Sequence, residues 1–327
     1  MPLKQIKHAL VKDRPNNTGL FWFIAIAGFS SPYWSPWLSQ TWVELWFLDL
    51  FVHWQWFFAA LLGLGILRLA WRQRRWLLVL PIVFTPYFTA PTALSSALSS
   101  HRHPANGLPL VFATANVQKE NTEPQRLLAW LTAEQVDIAF ISEVNPTFAQ
   151  GLASYTALPS QILRPQEDPF GVALLSRYPI RRFTVTPDHN GDQHLEAEIE
   201  VQGRSIHVIG LHPMPPLDAA TQQQRDQLIH DLAQRYAMLP AVILGDFNAT
   251  PWSSAFVGLA DVGWQRASGV RPTWPSQGHG WMGIPIDHVV ATTPHWQGMA
   301  SQLGAAIGSD HFPVVARFAL LPAKTPN

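Results

Sequence analysis

Hydrophobic positions at the N-terminal end of the chain fall into three long runs that contain no Asp, Glu, Lys or Arg. The runs cover residues 15–43, 50–67 and 76–100. A helix that spans a bilayer needs about 20 mostly apolar residues, so the first and third runs are long enough and the second is marginal. The pattern predicts two or three transmembrane helices, which form a membrane anchor of about three hydrophobic spans over residues 1–94. Asp49, His53 and Gln55 weaken the second span but suit a helix end at the membrane interface.

Two alternatives to a membrane anchor stay open for these runs. A signal peptide would account for the first run, although further apolar runs follow it and no clear small-residue cleavage site is present. Helices buried in a soluble core would account for all three, but arginines between the runs make this the less favoured alternative.

Basic residues beside the runs predict the orientation of the anchor. Four precede the first run and four lie between the second and third, namely Lys4, Lys7, Lys12, Arg14, Arg68, Arg72, Arg74 and Arg75. Short loops rich in Lys and Arg remain in the cytoplasm. We therefore expect a multi-pass membrane protein whose C-terminal domain lies outside the cytoplasm.

Beyond a polar, small-residue linker over residues 95–107, short apolar runs alternate with helical patterns. Helices are predicted over residues 124–134, where Thr122 and Gln125 have capping-box spacing, and over residues 219–236. Strands are predicted over residues 108–117, 136–144, 171–180, 194–201, 205–213, 241–248, 284–291 and 308–320. This order predicts an α/β sandwich with mixed sheets over residues 108–321, followed by a short tail over residues 322–327.

Composition and charge change this picture in three ways. Charged residues make up only 13% of the chain, against a usual quarter, and 15 Trp are present. Residues 1–104 carry nine Lys and Arg against three Asp and Glu, whereas the remainder carries 13 against 19. An acidic domain argues against a broad grip on nucleic acid, which depends on Lys and Arg. The absence of cysteine excludes disulfides, zinc–thiolate sites and thiol nucleophiles.

Polar side chains recur at or beside the ends of the predicted strands. They are Asn116, Glu143, His212, Asp246, Asn248, Asp287, Asp310 and His311. Each alone could serve as a turn residue, a helix cap or a hydrogen-bonded histidine. Together they predict one polar pocket, because ligands bind where strand ends converge. Carboxylates such as Glu143 with Asp310 or Asp246 suit Mg²⁺, and an Asp287–His311 pair would serve acid–base chemistry if the two residues meet.

The chain from about Leu108 to Leu321 resembles the endonuclease/exonuclease/phosphatase superfamily, which has the DNase I-like fold. Seven motifs occur in the order typical of that family: ANV at 115–117, ISEV at 141–144, GVALLSRYPI at 171–180, GLHP at 210–213, GDFNATP at 245–251, IDHVV at 286–290 and SDHFPV at 309–314. The resemblance implies a four-layer α/β sandwich of two mixed β-sheets flanked by helices. An anchor before this domain resembles a bacterial subgroup of the family and implies the inner membrane, with the domain on the periplasmic or extracellular side.

The resemblance also implies a role for each polar residue. Metal binding falls to Glu143, Asp310 and Asn116, with Mg²⁺ as the cofactor and Mn²⁺ as an alternative. Catalysis falls to Asp246, Asn248, His212, Asp287 and His311. Of these, Asn248, His212 and His311 would also contact the substrate phosphate. Two departures from the family pattern are Gln118, where nucleases of the family carry an acid, and Ser142, where a glutamine is usual.

These observations lead to a membrane-anchored, Mg²⁺-dependent phosphoester hydrolase as the expected function, either a phosphodiesterase or a phosphatase. A metal-dependent nuclease of the same fold is the alternative, and a non-catalytic membrane scaffold is less favoured because the acids and histidines are all retained. Expected partners are a phosphate ester, whether a phospholipid headgroup, a nucleotide or a nucleic acid, and membrane lipid. Nothing in the sequence indicates an obligatory protein partner. The Trp-rich stretch over residues 272–285 would either dip into an interface, stack on a base or pack as a loop.

Overall fold

The computed structural model of the chain describes residues 18–71, 83, 85–86, 107–187 and 193–322. We refer to residues 18–71 as the helical segment and to residues 107–322 as the sandwich. The described strands, in chain order, are β1 (Leu108–Asn116), β2 (Ile138–Ser142), β3 (Ser160–Arg164), β4 (Val172–Ser176), β5 (Ile180–Pro187), β6 (Gln193–Val201), β7 (Arg204–Leu211), β8 (Ala241–Asp246), β9 (Trp264–Arg266), β10 (Asp287–Thr292), β11 (Trp296–Leu303) and β12 (Val314–Leu320).

The described α-helices are α1 (Thr18–Ser30), α2 (Ser35–Thr41), α3 (Gln55–Ala70), α4 (Pro124–Ala133), α5 (Pro146–Ala153) and α6 (Ala219–Tyr236). Short 3₁₀ helices cover Ser31–Tyr33, Val43–Trp54, Ser254–Phe256 and Gln277–Gly280. The helices thus fall into two groups, one in the helical segment and one attached to the sandwich.

Two six-stranded sheets form the sandwich, one in the order β11-β12-β1-β2-β4-β3 and the other in the order β5-β6-β7-β8-β10-β9. Both sheets are mixed, because β1 pairs with β2 and β7 pairs with β8 in parallel, while their other neighbours are antiparallel. Side chains such as Phe112, Phe140 and Val208 fill the space between the sheets. Helices α4 and α5 cover the outer face of the first sheet, and α6 covers the second. The predicted mixed sheets flanked by helices are confirmed.

Local sequence accounts for most of these elements. In β6, Leu195, Ala197, Ile199 and Val201 are buried and alternate with less buried polar residues, as period-2 patterning requires. Strands β2, β4 and β8 are buried throughout and contain few charged residues. Helix α6 begins at a capping box, in which the Asp218 side chain accepts from the Thr221 amide.

Three local predictions were wrong. Helix α4 has Glu123 at its N-cap without a side-chain cap, so the capping box from Thr122 to Gln125 does not form. The predicted strand over 171–180 is two strands, because β4 ends at Ser176 and β5 starts at Ile180. Only the later part of the predicted 308–320 strand is extended, since β12 begins at Val314 and the residues before it form a loop.

The helical segment does not confirm the prediction of two or three spanning helices. The first apolar run breaks into α1, a 3₁₀ turn and α2, because prolines interrupt it. Helix α1 has 13 residues and is therefore only about 20 Å long. Among the described residues, one helical stretch, Val43–Arg68, has the length and composition to cross a membrane, with 26 residues and an 18-residue window whose mean hydropathy is 1.7. The third apolar run, the linker and the C-terminal tail lie almost entirely outside the described residues.

Contacts within the helical segment join α1 to α3. The Gln55 side chain donates to the Gly28 carbonyl at 3.0 Å, and Gly65 lies against the rings of Trp22 and Phe21. The segment also contacts the sandwich, where the Trp56 indole donates to the Val270 carbonyl at 2.9 Å. The helical segment is therefore packed on the sandwich over residues 49–56.

Candidate active site

Strand pairing brings the predicted polar residues to one edge of the sandwich. Strands β1 and β2 are parallel, and Asn116 at the end of β1 pairs with Ser142 at the end of β2. Glu143, the next residue after Ser142, therefore lies beside Asn116 at this edge. Asp246 ends β8 and pairs with Asp287, the first residue of antiparallel β10. Strand β12 is antiparallel to β1, so the loop before it, which carries Asp310 and His311, lies at the same edge.

Glu143 is held by hydrogen bonds on both carboxylate oxygens. Its Oε1 accepts from Asn116 Nδ2 at 2.8 Å, and its Oε2 accepts from the Lys119 amide at 3.1 Å. Asn116 Nδ2 also lies 3.2 Å from Asp246 Oδ2, while Asn116 Oδ1 accepts from the Gln118 amide. Asn116 therefore orients two carboxylates from opposite sheets, and its own oxygen is already engaged.

Asp287 and His311 form the predicted pair. His311 Nδ1 donates to Asp287 Oδ2 at 2.9 Å, and His311 Nε2 lies 3.7 Å from Asp246 Oδ2. Burial alone would lower the pKa of His311, but the carboxylates of Asp287 and Asp246 outweigh it and raise the pKa to about 10. Burial and the nearby Asp287 charge raise the pKa of Asp246, although His311 and His212 oppose the shift. His311 is thus a cation at neutral pH whose free face points to Asp246.

His212 and Asn248 complete the surroundings of Asp246. His212 Nε2 lies 3.8 Å from Asp246 Oδ2 and 3.8 Å from Glu143 Oε1. The Asn248 amide donates to Asp246 Oδ1 at 2.9 Å, and its side chain donates to the Pro213 carbonyl at 2.9 Å. Asp246 therefore has a neighbouring donor or histidine on each oxygen, which holds its carboxylate in one orientation.

The end of strand β8 requires glycine. Gly245 has φ +149°, and a Cβ on it would lie 1.9 Å from the Leu211 carbonyl oxygen of the neighbouring strand. Glu143 and Asn248 also have positive φ angles, 60° and 47°. Such conformations cost free energy in residues other than glycine and cluster at functional sites. The backbone is therefore strained where it presents both of these side chains.

Asp310 contacts one of the two departures from the family pattern, Gln118, and the other, Ser142, directly precedes Glu143. Asp310 Oδ2 accepts from the Trp274 indole at 3.0 Å, and its amide donates to Gln118 Oε1 at 3.2 Å. Gln118 therefore positions the Asp310 loop where an acid would add negative charge. The Ser142 hydroxyl is buried without a hydrogen-bond partner.

Comparison with known families agrees with this arrangement. Residues 113–311, more than half of the chain, match the model of the Endonuclease/Exonuclease/phosphatase family. The chain belongs to this family. Comparison with curated proteins found no match.

Solved structures show that the fold is shared as well. Zebrafish (D. rerio) TDP2 complexed with a single-strand DNA product has a TM-score of 0.53 and 15% identity, over 64% of this chain and 98% of that one. An AP endonuclease from Archaeoglobus fulgidus has a TM-score of 0.52 and 18% identity, over 63% and 98%. The 3′ phosphatase NExo from Neisseria, bound to a product DNA hairpin, has the same four values. Identities this low establish the fold alone.

In this endonuclease/exonuclease/phosphatase domain the polar residues open into a cavity of about 640 Å³. Glu143, His212, Asp246, Asn248, Asp310 and His311 all line it, while Asn116 and Asp287 support them from behind. The predicted site residues are therefore brought together. Their individual roles remain predictions.

A cation fits the donor set in this cavity. Three carboxylates line it, those of Glu143, Asp246 and Asp310, and no Lys or Arg is among its described lining residues. Asp246, Asp287 and His311 also have potential ligand atoms within 4.8 Å of one another. However, Asp287 Oδ2 and His311 Nδ1 are already bonded to each other, so this trio is better suited to proton chemistry than to holding an ion. The family membership and the carboxylates indicate a metal-dependent site.

The structure adds residues from the helical segment that sequence analysis did not assign to the site. Leu50, His53 and Trp54 line the same cavity. His53 Nδ1 lies 3.0 Å from the Thr250 hydroxyl, within the motif that carries Asp246 and Asn248. The sequence signal was the polar Asp49 and His53 at helical spacing beside an apolar run, which was interpreted as a membrane interface.

Arg225 is a second residue that sequence analysis missed. Its side chain is fully buried in α6, donates to the Asn248 carbonyl at 2.8 Å and lies 3.8 Å from Asp49. Arg225 lies among other polar residues of α6, so no sequence pattern separates it from an exposed arginine, and its burial beside Asp49 is decided by the tertiary structure. Arg225 connects the helical segment to the Asn248 loop.

Proposed function

We propose that the protein is a membrane-anchored, Mg²⁺-dependent phosphoester hydrolase, either a phosphodiesterase or a phosphatase. The observation that carries this proposal is the convergence of Asp246, the charged His311 with its partner Asp287, and Glu143 on one cavity. Family membership supports phosphoester hydrolysis as the reaction class.

The residues that would hold the metal are Glu143 and Asp310, with Asn116 fixing the Glu143 carboxylate. Mg²⁺ is usually bound by one or two carboxylates of this kind and retains several waters. When bound, Mg²⁺ would supply a Lewis acid that neutralises charge on the phosphoryl group.

The chain's own residues perform the proton transfers in this proposal. Asp246 accepts a proton from the attacking water, and its raised pKa makes the carboxylate a stronger base. As the water oxygen bonds to phosphorus, the bond from phosphorus to the leaving oxygen breaks and that oxygen takes up a proton from solvent. His311, held as a cation by Asp287, donates one hydrogen bond from Nε2 to a phosphate oxygen as negative charge develops. His212 Nε2 lies 3.8 Å from Asp246 Oδ2, in position to stabilise the phosphate or the leaving oxygen.

Membrane anchoring is supported by the exposed surface of the helical segment. Helix α1 exposes apolar side chains in several directions, including Leu20, Phe23 and Ile26, and has no charged residue. The Val43–Arg68 stretch is long and apolar enough to span a bilayer. The basic residues that flank the apolar runs favour a bacterial inner-membrane protein with its catalytic domain outside the cytoplasm.

A nuclease is the second candidate. Two proteins with a similar fold, zebrafish TDP2 and Neisseria NExo, were solved with DNA products. Strong loss of activity with rising salt is expected of a nuclease, since its affinity for DNA rests on Lys and Arg contacts with phosphates.

A hydrolysis screen with the full-length protein in lipid nanodiscs tests the proposal. The panel contains plasmid DNA, oligonucleotides, phospholipids and small phosphate esters, each with and without Mg²⁺ or Mn²⁺. We expect metal-dependent hydrolysis of at least one class, which Asp246→Asn lowers about 10²- to 10⁴-fold. Metal-independent hydrolysis, or none in the whole panel, would contradict the proposal.

Metal binding is tested separately from catalysis. Saturating Mg²⁺ should raise the melting temperature of the wild type, because a ligand that binds only the native state stabilises it. Glu143→Gln should remove this rise, whereas Glu167→Gln, a change of the same type at an exposed site, should retain it. Unchanged stabilisation in Glu143→Gln would favour the scaffold alternative.

The orientation in the membrane needs its own experiment. Alkaline phosphatase fused to the C-terminus is active only outside the cytoplasm. We expect an active fusion, with a cytoplasmic reporter at the same position inactive. The reverse pattern would place the catalytic domain in the cytoplasm.

A further inference from the structure

We propose that the substrate is an amphiphilic phosphoester whose phosphate lies at Asp246 and whose hydrocarbon chain lies in an apolar groove on the helical segment. This inference rests on the proposed hydrolase function and names its substrate class. The groove is defined by Phe47, Leu50, Phe51, Trp54, Phe57, Phe58 and Met282.

The chemistry of the groove fits a hydrocarbon chain. Its volume is about 510 Å³, and every described lining residue is apolar. All but one belong to the helical segment, and Met282 alone comes from the sandwich. Aromatic rings and a thioether offer no strong hydrogen-bond donor or acceptor apart from the Trp54 indole. The groove therefore suits an occupant without polar groups.

The groove adjoins the active-site cavity. Leu50 and Trp54 line both spaces, so these side chains form the junction between them. Other residues that line the cavity are apolar as well, among them Phe170, Met214 and Ile284. A molecule with a phosphoester at one end and a chain at the other can fill both spaces at once.

Charge disfavours a polyanionic substrate. Neither the cavity nor the groove has a Lys or Arg among its described lining residues. Nucleic-acid binding depends on such residues along the phosphate backbone. The protonated His311 and a bound cation would neutralise a single phosphoester, but successive phosphates would meet no Lys or Arg among the described residues that line the two spaces.

The surface around the groove matches a lipid source for the substrate. Met282 is 56% exposed and its neighbour Trp281 is 85% exposed, at the tip of the Trp-rich loop. Phe47, Phe51 and Phe57 each remain more than 40% exposed on the facing helical stretch. That stretch is the one described helix long enough to cross a membrane. A lipid can therefore reach the groove along an apolar surface, with its headgroup directed toward Asp246.

Two pairs of substrates test the chain requirement. One pair is a short-chain lysophosphatidic acid and glycerol phosphate, and the other is a short-chain lysophosphatidylcholine and glycerophosphocholine. Both lipids are used below the concentration at which they form micelles, so their chains leave water when they bind. In either pair kcat/KM should be higher for the chain-bearing member, and it should rise about fourfold for each methylene added to the chain.

Matched variants test whether the groove causes this preference. Leu50→Trp narrows the junction between groove and cavity, and Leu64→Trp makes the same change at a 63% exposed position on α3 that lines neither space. Met282→Trp alters the opposite wall at an exposed residue, where misfolding is not expected, and Met238→Trp is its control at an 80% exposed position outside both spaces. The groove variants should reduce the ratio of chain-bearing to chain-free kcat/KM at least tenfold, and the controls should retain it.

The outcomes separate this inference from the function on which it rests. A ratio near one in the wild type, or a ratio that both groove variants retain, overturns the inference. Metal-dependent hydrolysis of oligonucleotides or chain-free esters that needs Asp246, without a chain preference, leaves the hydrolase assignment standing while the groove assignment fails. No hydrolysis of any phosphoester defeats both.

Discussion

The helical segment and the sandwich distribute polar residues in opposite ways. In the sandwich, apolar side chains fill the space between the sheets and the polar ones gather at one edge, around Asp246. In the helical segment, large apolar side chains such as Phe23 are exposed, while Asp49 and His53 are buried against the sandwich. The difference indicates that the polar face of this segment packs on the sandwich of the same chain and that its apolar face is suited to lipid.

Their contacts differ in kind as well. The sandwich is held by tightly packed backbone and side chains, so its geometry tolerates little change. The helical segment is attached through a small apolar cluster, in which Val52 packs with Trp252 and Val270, and through buried polar groups. The polar contacts join Asp49 to Ser254 and Arg225, and His53 to Thr250. Changes in packing should therefore damage the sandwich most, and changes in charge should damage the attachment most.

The largest difference in unfolding free energy is expected between substitutions of two glycines, Gly245 in the sandwich and Gly65 in the helical segment. Gly245→Ala places a Cβ 1.9 Å from backbone at Leu211, at a φ of +149°, so we expect a loss of about 4 kcal/mol or more in unfolding free energy. In Gly65→Ala the nearest atoms, 2.7 and 2.9 Å away, are the ring atoms of Trp22 and Phe21. These rings can move, and alanine has a higher helix propensity than glycine. We therefore expect the unfolding free energy to change by less than about 1 kcal/mol. Urea unfolding followed by tryptophan fluorescence measures both, and equal losses would contradict the contrast.

The next effect concerns catalysis within the sandwich. Asp287→Ala removes the partner that orients His311 and raises its pKa, so kcat should fall about 10²- to 10⁴-fold. Because a histidine is a cation only below its pKa, the alkaline loss of activity should shift to lower pH in the variant. Asp261→Ala, at an exposed acid away from the cavity, is the control. A pH profile identical to that of the wild type would show that Asp287 does not act through His311.

The attachment of the helical segment is tested by removing one buried acid. Asp49→Ala leaves the buried Arg225 with only Asp226 as a carboxylate partner. It also removes the acceptor of the Ser254 amide and leaves Asp226 as the carboxylate acceptor of the Ser254 hydroxyl. We expect a loss of about 3 kcal/mol, together with a lower kcat because Arg225 also holds the Asn248 carbonyl. Glu44→Ala changes an exposed acid of the same segment and should have little effect. Thermal unfolding and kcat are measured for Asp49→Ala and Glu44→Ala. If the two variants lose the same stability and activity, the buried contacts of Asp49 do not attach the helical segment.

The smallest effect is expected from a half-buried acid on the outer face of the sandwich. The side chain of His194, together with Tyr236 and Arg235, lowers the pKa of Glu196 to about 2 from an ordinary value of 4.5. The ionised Glu196 carboxylate therefore stabilises the folded state fully above about pH 4.5, and this stabilisation is lost as the pH falls through about 2. Solvent screening limits it to below about 1 kcal/mol. Glu196→Gln should flatten the dependence of the melting temperature on pH between 5 and 2, while Glu167→Gln, at an exposed acid, should follow the wild type.

Sequence analysis succeeded where the pattern was local. Period-2 alternation in β6 and the continuous helical pattern of α6 were both found, and the latter has its predicted bounds. It failed at boundaries decided by competing local signals. No helix was predicted over Pro146–Ala153, but α5 begins there, because the Asn145 side chain accepts from the Phe148 amide and proline suits the first helical position.

The site was predictable in membership but not in geometry. Each polar residue follows or precedes an apolar run, and that signal is visible in the chain. The sequence does not show that the Asn116 side chain hydrogen-bonds both Glu143 and Asp246, since Asp246 belongs to the other sheet. Nor does it show that Asp49 contacts Ser254 from outside the domain, because an isolated acid near an apolar run also fits a membrane interface.

The sequence by itself therefore determined the strand and helix patterns, the family, the set of polar residues and the apolar character of the N-terminal end. Only the tertiary structure decided which strand ends meet, how the Asp287–His311 pair faces Asp246, and that the helical segment forms a wall of the active site. The physical reason is range. Periodicity and turn chemistry act between neighbours along the chain, whereas pairing between sheets and the burial of Asp49 join residues more than a hundred positions apart.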